Sequence, residues 1–537
     1  MQVGFGGAED PSHSNGDSRN NKLEVSNQVS APSETLDERI PSSTREDVRE
    51  PQHRVQISIE PYGIVGIGEI FRYLCSLLDS GVITGQRIRA IDEDVPLFAL
   101  GLINTAVELG GNSFSLHTEL LAIIQENLFE SIMQLALPSK NPLILSMVCS
   151  VVLNLYHHLR SHLKLQLESF FSCIIIRLAQ GKHGASYQQQ EVAMEALVDF
   201  CRQPSFMYEM YVNFDCDISC SNLFEDLISL LSKSAFPVNS PLSAMHVLSL
   251  EGLVAIIQSM VDRLGSIQKP PPPCVDIPIS EYVPFWTAIC ENYEDPKCWV
   301  DFVQRQKFIK HKLMIGADHF SRDQKKGFEF LQGIHLLPEK LDASSVAGFF
   351  RYTTGLDKGL LGDYLGDPEE FCLQVLEEFT KTFDFKGMSL DMAMRVFLAT
   401  FRLPGEAQKI HRILEAFAAR YYEQSSQVLA DKDAAFVLAY SLILLNTDQH
   451  NSQVKKKMSE EDFIRNNRKI NGGQDLPREY LSDLYHSILK NEIKVSYASG
   501  GATNGGTAEM NPSAWVGLVY NSKKMSPYLI CDSRAFL

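Results

Sequence analysis

From Tyr62 onward the apolar positions recur at helical spacing and nowhere alternate as they would in a strand. Ile67, Ile70, Phe71, Leu74 and Leu78 share one helical face, which predicts a first helix there. Asp94 followed by Pro96 is a cap-and-proline start, and the run LFALGLINTAVEL stops at Gly110-Gly111. Further periodic runs cover Leu120–Leu135, Pro142–Leu163, Leu167–Leu178, Gln190–Cys201, Leu223–Leu231 and Ala244–Leu264. Helices with short polar breaks predict stacked helix pairs, an α-solenoid over 59–265, although no clean repeat recurs at a fixed period. The default role of such a layer is to bind partners, not to do chemistry.

The periodicity then breaks. Lys269 precedes Pro270–Pro273, a run that cannot continue a helix, so residues 266–299 are expected to form a proline-rich linker and connecting segment. Residues 300–492 return to a helical pattern. Residues 493–537 open on the loop-like SGGATNGGTAEMNPS and continue into SAWVGLVYNSKK, a short amphipathic helix candidate. At the other end, no aromatic residue lies between Gly6 and Pro61, and Ser, Asn, Asp, Glu and Pro dominate. Such a stretch buries too little apolar surface to offset ordering, so residues 1–58 are expected to be a disordered, low-complexity prefix. The whole chain therefore reads as all-α.

Composition narrows the function. The 537 residues are 45% hydrophobic and 21% charged, an ordinary globular balance. Lys+Arg number 49 against Asp+Glu 66, a formal charge of −17, which argues against a nucleic-acid binder that neutralises phosphates. The eleven cysteines include no C-x-x-C pair, and Cys216 and Cys220 have no histidine cluster beside them, so reduced, mostly buried thiols are expected. The most apolar stretch, Leu143 to Tyr156, is 14 residues, too short for a bilayer that needs roughly 20. Membrane contact, if any, is expected to be peripheral. Phosphate-loop, dinucleotide, zinc-protease and nucleophile-elbow motifs are all missing.

Two segments stand out. In FLATFRLPGEAQK (397–409), a helix reaching about Phe401 is expected to end near Leu403, because Pro404 disfavours helix in its predecessor and Gly405 permits a tight turn. Glu406 then opens a helix carrying Ile410, Ile413, Leu414 and Phe417, which puts a carboxylate at the tip of an interhelical loop. The bland alternative is a charge that complements the helix dipole, worth ~0.3–1 kcal/mol. In AYSLILLNTDQHN (439–451), an apolar helix bearing Phe436, Tyr440, Ile443 and Leu444 runs into a polar end at Asn446–Asp448, then into Lys455–Lys457. It is either a core helix with a capping turn or the wall of a groove for a partner.

Together with TTGLDKG (353–359), GDYLGDPEEF (362–371) and EEDFIRNNRKIN (460–471), these segments resemble the Sec7 domain, the catalytic module of guanine-nucleotide exchange factors for Arf-family small GTPases. Residues 187–227 resemble the region of homology upstream of that domain in the large factors, and PYLICDSRAFL resembles the segment just after it. The nearest subgroup in pattern is the GNOM-like, Golgi-type one.

The resemblance implies a solenoid followed by a helical exchange domain with a hydrophobic groove. Glu406 would be a glutamic finger and Asn451 would hydrogen-bond the GTPase switch backbone. Phe436, Tyr440, Ile443 and Leu444 would wall the groove, with Asp433 at its edge. His411 stands where many members have Asp. Tyr440, Ser441, Asp448 and Met458 match the pattern of members sensitive to brefeldin A, while Leu444 replaces a Met that accompanies sensitivity, tipping the expectation to resistance. No cofactor is implied, since Mg²⁺ and nucleotide belong to the GTPase. Peripheral recruitment to Golgi or endosomal membranes is expected. Homodimerisation is not, because the dimerisation domain of the large members does not precede Tyr62 here. A truncated, non-catalytic scaffold that binds Arf or membranes is the alternative.

Overall fold

The computed structural model describes residues 63–78, 93–136, 141–236, 241–264, 279–425, 428–493, 519 and 525–530. The expected disordered prefix, residues 266–278 of the linker and connecting segment, and the amphipathic helix candidate of the tail, Val519 apart, lie outside these. Every regular element among the described residues is helical, with a single isolated bridge between Asn471 and Gln474.

The upstream helices are α1 (Ile64–Leu78), α2 (Asp94–Gly110), α3 (Thr118–Ile123), α4 (Phe129–Ala136), α5 (Pro142–Leu159), α6 (Lys164–Ser169), α7 (Ile176–Ala179), α8 (Tyr187–Cys201), α9 (Phe206–Met210), α10 (Leu223–Ala235) and α11 (Ala244–Leu264). Wider π turns extend the chain from α3 to α4, from α6 to α7 and beyond α9. The second half holds α12 (Pro296–Arg322), α13 (Gln324–Gly333), α14 (Ala343–Tyr352), α15 (Lys358–Leu365), α16 (Glu370–Lys381), α17 (Leu390–Leu398), α18 (Ala407–Ser425), α19 (Lys432–His450), α20 (Glu460–Asn466) and α21 (Arg478–Lys490). Many starts are written in the sequence. Asp323, Asp342, Asp357 and Asp431 cap α13, α14, α15 and α19 with their side chains, and Ser186–Gln189 and Ser459–Asp462 form capping boxes.

Packing proceeds by neighbours upstream: α1 on α2, α2 on α5, α5 on α8, α8 on α11, and α11 on α10. The first helix is rotated from expectation. Phe71, Cys75 and Leu78 are buried, whereas Ile67 and Ile70 are 44% and 53% exposed, with Gly68 facing Leu120 and Ile123 of α3. Asp94 sits inside the first turn of α2, while Glu93 receives the Asn141 amide at 2.7 Å. Two helical stretches, Pro142–His162 and Ala244–Asp262, are long and apolar enough to cross a bilayer by length and composition, contrary to the expectation of none. The first gains its length from the turn after Tyr156 and packs between α2 and α8; the second leaves Val247, Leu250, Val254, Ile257 and Val261 exposed.

Two large apolar cores result, one upstream and one rich in phenylalanine from α12 to α21. A small third core joins them: Val212 and Cys216 meet Cys290, Trp299, Val303 and Leu529. The helix α12 begins at Pro296, ahead of the boundary expected at 300, and its buried Lys310 donates to the Phe214 carbonyl at 2.8 Å. The short segment 525–530 lies against the upstream helices: Asn213 donates to the Leu529 carbonyl and accepts its N–H, at 2.8 and 2.6 Å. The cysteines described form no disulfide and are mostly buried, and burial pushes Cys149, Cys201 and Cys216 up to about 12.

Candidate functional site

The site is built where α17, α18 and α19 meet. The helix α17 stops at Leu398, earlier than the expected Phe401–Leu403. The Thr400 hydroxyl takes the Phe397 carbonyl at 2.7 Å, and the Arg402 N–H leaves the helix to reach the Lys358 carbonyl at 2.9 Å. Proline at 404 therefore ends nothing; the helix has already been unwound from outside. Phe401 and Leu403 are 2% and 1% exposed and root the loop in the core, while Arg402, Gly405 and Glu406 face solvent.

Gly405 does not have the left-handed backbone that the tight-turn expectation asked of it, and a Cβ there would meet nothing within 4 Å. Glu406 precedes α18, and its carbonyl accepts the Ile410 N–H at 3.0 Å. No hydrogen bond or ion pair reaches its carboxylate among the described residues. A negative charge at this helix start is stabilised by the N–H groups of the first turn and remains free to meet another molecule.

The helix α19 supplies the neighbouring surface. It is apolar almost all round, with Ala434, Ala435, Leu438, Ala439, Leu442 and Leu445 buried. Its outward row is Asp433, Val437, Tyr440 and Leu444, with Phe436 half-buried beside it. Tyr440 is 38% and Leu444 52% exposed, and the Phe436 and Tyr440 rings lie 6.3 Å apart. Ile443 departs from the groove wall expected of it: at 4% exposure it faces the core, on a helix that packs against α17, α18 and α21. Val437, 42% exposed and one turn from Tyr440, takes its place on the surface and was missed, since its helical phase could not be read without knowing which faces these neighbours cover.

His411 also belongs here. Its ring meets the Phe436 ring edge-on at 4.7 Å, tying the first turns of α18 to the apolar row of α19. The sequence flagged it only as a departure, with no hint of this contact.

The far end of α19 is held by polar bonds. Asn451 caps the helix, is exposed, and accepts the Gln453 N–H at 2.9 Å. Lys457 donates to the carbonyls of Asp448 and Asn451 at 2.7 and 2.6 Å, a cation satisfying a helix C-terminus. Asp448 accepts the Met458 N–H at 2.6 Å, so two of the four inhibitor-contact candidates touch; Tyr440 and half-buried Ser441 lie about two turns earlier on α19. Inside, Asn446 brackets Ile493, donating to its carbonyl and accepting its N–H at 2.7 Å each, and so pins the exit of the domain to α19.

Among the described residues, one group could offer converging metal donors: Asp367, Glu369 and Cys372, within 4.8 Å of one another. Asp367 is already used, accepting the Glu369 N–H at 3.0 Å at the start of α16.

Residues 309–493 match the model of the Sec7 domain, and residues 67–223 match the Mon2/Sec7/BIG1-like HUS domain. The chain is 62% identical over 491 residues to the ARF guanine-nucleotide exchange factor GNOM of Arabidopsis thaliana, covering 90% of this chain and 33% of that protein. It is 59% identical over 483 residues to the ARF guanine-nucleotide exchange factor GNL1 of the same plant, covering 89% and 33%. The chain thus spans about a third of the length of these relatives. Among solved structures, the Sec7p catalytic domain is 41% identical, with 34% of this chain and 97% of that one covered and a TM-score of 0.32. The Sec7 domain in a complex with ARF1-GDP and brefeldin A is likewise 41% identical, with 34% and 93% covered and a TM-score of 0.32.

Proposed function

We propose, from the premise that this chain belongs to the Sec7-domain proteins, that residues 309–493 promote GDP release from an Arf-family small GTPase. The observation that carries the reading is an exposed carboxylate, Glu406, without a partner among the described residues and five residues before His411, whose ring meets Phe436 beside the exposed apolar row of α19. A GTPase holds GDP through a phosphate loop, its lysine and Mg²⁺, all of which neutralise the β-phosphate. The Glu406 carboxylate enters that place, repels the phosphate, crowds the metal position and competes for the lysine. In a desolvated cleft such charge interactions are worth several kcal/mol, enough to speed dissociation by orders of magnitude.

The apolar row of Phe436, Val437, Tyr440 and Leu444 receives the switch regions, with Ile443 supporting it from beneath and Asp433 at its edge. Asn451 hydrogen-bonds the switch backbone. The exchange factor makes no covalent bond and needs no cofactor of its own; Mg²⁺ and nucleotide come with the GTPase. We place the activity in vesicle-mediated and endocytic transport, in the cytosol and at Golgi or endosomal membranes reached peripherally. Leu444 favours resistance to brefeldin A, read by exchange with and without the drug.

The test is release of fluorescent GDP from a purified Arf by the full chain. Release accelerated in proportion to added chain supports the reading. Arf binding with no acceleration replaces it with that of a non-catalytic scaffold.

A further inference from the structure

Helix α15 has no part in the function proposed above, although its GDYLG run is among the most conspicuous motifs of the chain. It lies directly under the loop that presents Glu406. A Cβ built on Gly362 would fall well inside 3.0 Å of the Arg402 carbonyl oxygen, and 3.5 Å from the Phe401 ring. One turn on, a Cβ on Gly366 would fall 2.7 Å from Lys409 Cβ, in the first turn of α18. The two glycines are four apart and so share one face of α15. That face touches both ends of the stretch that carries Glu406.

The remaining contacts have the same direction. Lys358 at the start of α15 donates to the Ala399 carbonyl at 2.7 Å, and its own carbonyl accepts the Arg402 N–H. Lys409 donates to Asp363 at 3.2 Å, and Arg412 to the Gly366 carbonyl at 2.8 Å. Beside the glycines Leu361 and Leu365 are buried, and Tyr364, turned away from them, packs among Phe320, Phe328 and Phe350, so α15 is itself immobilised. Glycine in a helix interior is otherwise unfavourable, so Gly362 calls for a steric reason, while Gly366, the C-cap residue just beyond α15, meets the crowding at Lys409.

We propose that Gly362 and Gly366 are positioning residues for Glu406: α15 is a cradle whose missing side chains set the depth at which the loop sits. The inference rests on the exchange reading and adds that the glycine which the loop depends on lies opposite it, not within it. A methyl group at 362 meets backbone and displaces the loop by a distance on the order of an ångström, a misplacement that can cost about 100-fold in rate.

The experiment measures kcat and KM for fluorescent-GDP release from Arf by the full chain. Gly362→Ala should lower kcat by about 10- to 100-fold and leave KM within about threefold, because the α19 surface is untouched. Gly366→Ala should act in the same way but less. Gly333→Ala, where a Cβ meets nothing within 4 Å, should leave both constants unchanged. In a Glu406→Gln background the Gly362→Ala loss should vanish, since it acts through that carboxylate. If circular dichroism shows Gly362→Ala to be unfolded, Lys358→Met decides: it removes one hold on the loop and adds nothing to the crowded contact. Lower kcat at constant KM in Lys358→Met supports the cradle, and unchanged kcat overturns it. Loss in Glu406→Gln with none in Gly362→Ala overturns the inference and leaves the exchange reading standing. No loss in Glu406→Gln overturns both.

Discussion

The upstream layer and the Sec7 domain are both made of helices, yet three upstream carboxylates and Glu406 of the Sec7 domain sit in opposite surroundings. Upstream, Glu209, Asp215 and Asp217 are buried and occupied. Glu209 accepts from the Tyr156 and Tyr528 hydroxyls at 3.0 and 2.9 Å and from Arg160 at 2.9 Å. Asp215 accepts the Phe224 and Glu225 N–H groups at the start of α10, and Asp217 pairs with Lys164 at 2.8 Å. In the Sec7 domain Glu406 is exposed. Upstream, these three acidic groups hold parts of the chain together; downstream, Glu406 meets no hydrogen-bond or ion-pair partner among the described residues. The same residue type binds the chain together or faces solvent according to the partners the fold supplies, and at Glu209 these all meet Oε2 and leave the buried Oε1 without a hydrogen bond.

The contrast can be broken most forcefully at Glu209. Glu209→Ala leaves a half-buried guanidinium and two buried hydroxyls without this acceptor and should cost about 3–5 kcal/mol in urea unfolding. Glu406→Ala should change the same quantity by less than about 0.5 kcal/mol, as for a solvent-facing side chain. Comparable losses in the two would erase the distinction.

A smaller effect is expected at the two bracketing asparagines, one in each region. Asn213→Leu and Asn446→Leu each orphan a buried N–H and carbonyl, so each should lose about 2–3 kcal/mol. Limited proteolysis near 525–530 in the first and near 493 in the second should rise accordingly; unchanged cleavage would argue against both clamps.

The pH dependence separates the regions further. Burial pushes Asp215 up to about 6, so the folded state keeps a proton that the unfolded chain releases near 3.8. Stability should therefore fall as pH rises from about 4 to 6, by about 1–3 kcal/mol, and then level off. Burial also acts on Asp217, but the Lys164 ammonium and the Ser219 donors outweigh it and hold its carboxyl below the usual range, so its contribution is lost only in stronger acid. Asp215→Asn should flatten the change between pH 4 and 6, and an identical slope in wild type and variant would contradict the assignment.

The mildest tests lie around the loop and groove. Asn451→Ala should slow exchange by the equivalent of about 1–2 kcal/mol, one hydrogen bond to a partner. Gly405→Ala should move the melting temperature by no more than about a degree, since neither backbone nor space at that position calls for glycine.

Much of this was legible in the sequence, and the failures share a cause. Helix α11 spans the residues its periodicity predicts, and α5 starts at its proline as expected. The stretch from Phe206 to Asp215 was not seen as helix, because its buried positions include Glu209, Asn213 and Asp215, which a hydrophobic count scores as surface. These polar residues are inside because Tyr528, Leu529 and α10 satisfy them, and such partners are distant in sequence. Ile67 and Ile70 failed for the converse reason: an apolar residue does not announce which helix, if any, will cover it. At the site, the placement of Glu406 ahead of a helix and the polar end of α19 were readable from local chemistry, whereas the early end of α17 was not, since Arg402 is drawn off by Lys358. The inward turn of Ile443, the presence of Val437, the His411–Phe436 contact and the role of Gly362 depend on neighbours that only the fold supplies.

The central claim is that Glu406 acts on the nucleotide and not on the affinity for the GTPase. Its most direct test is stopped-flow release of fluorescent GDP with Glu406→Lys in the full chain, alongside pull-down of the Arf complex. The account predicts a complex that still forms and nucleotide that no longer leaves. Release at the wild-type rate would contradict it.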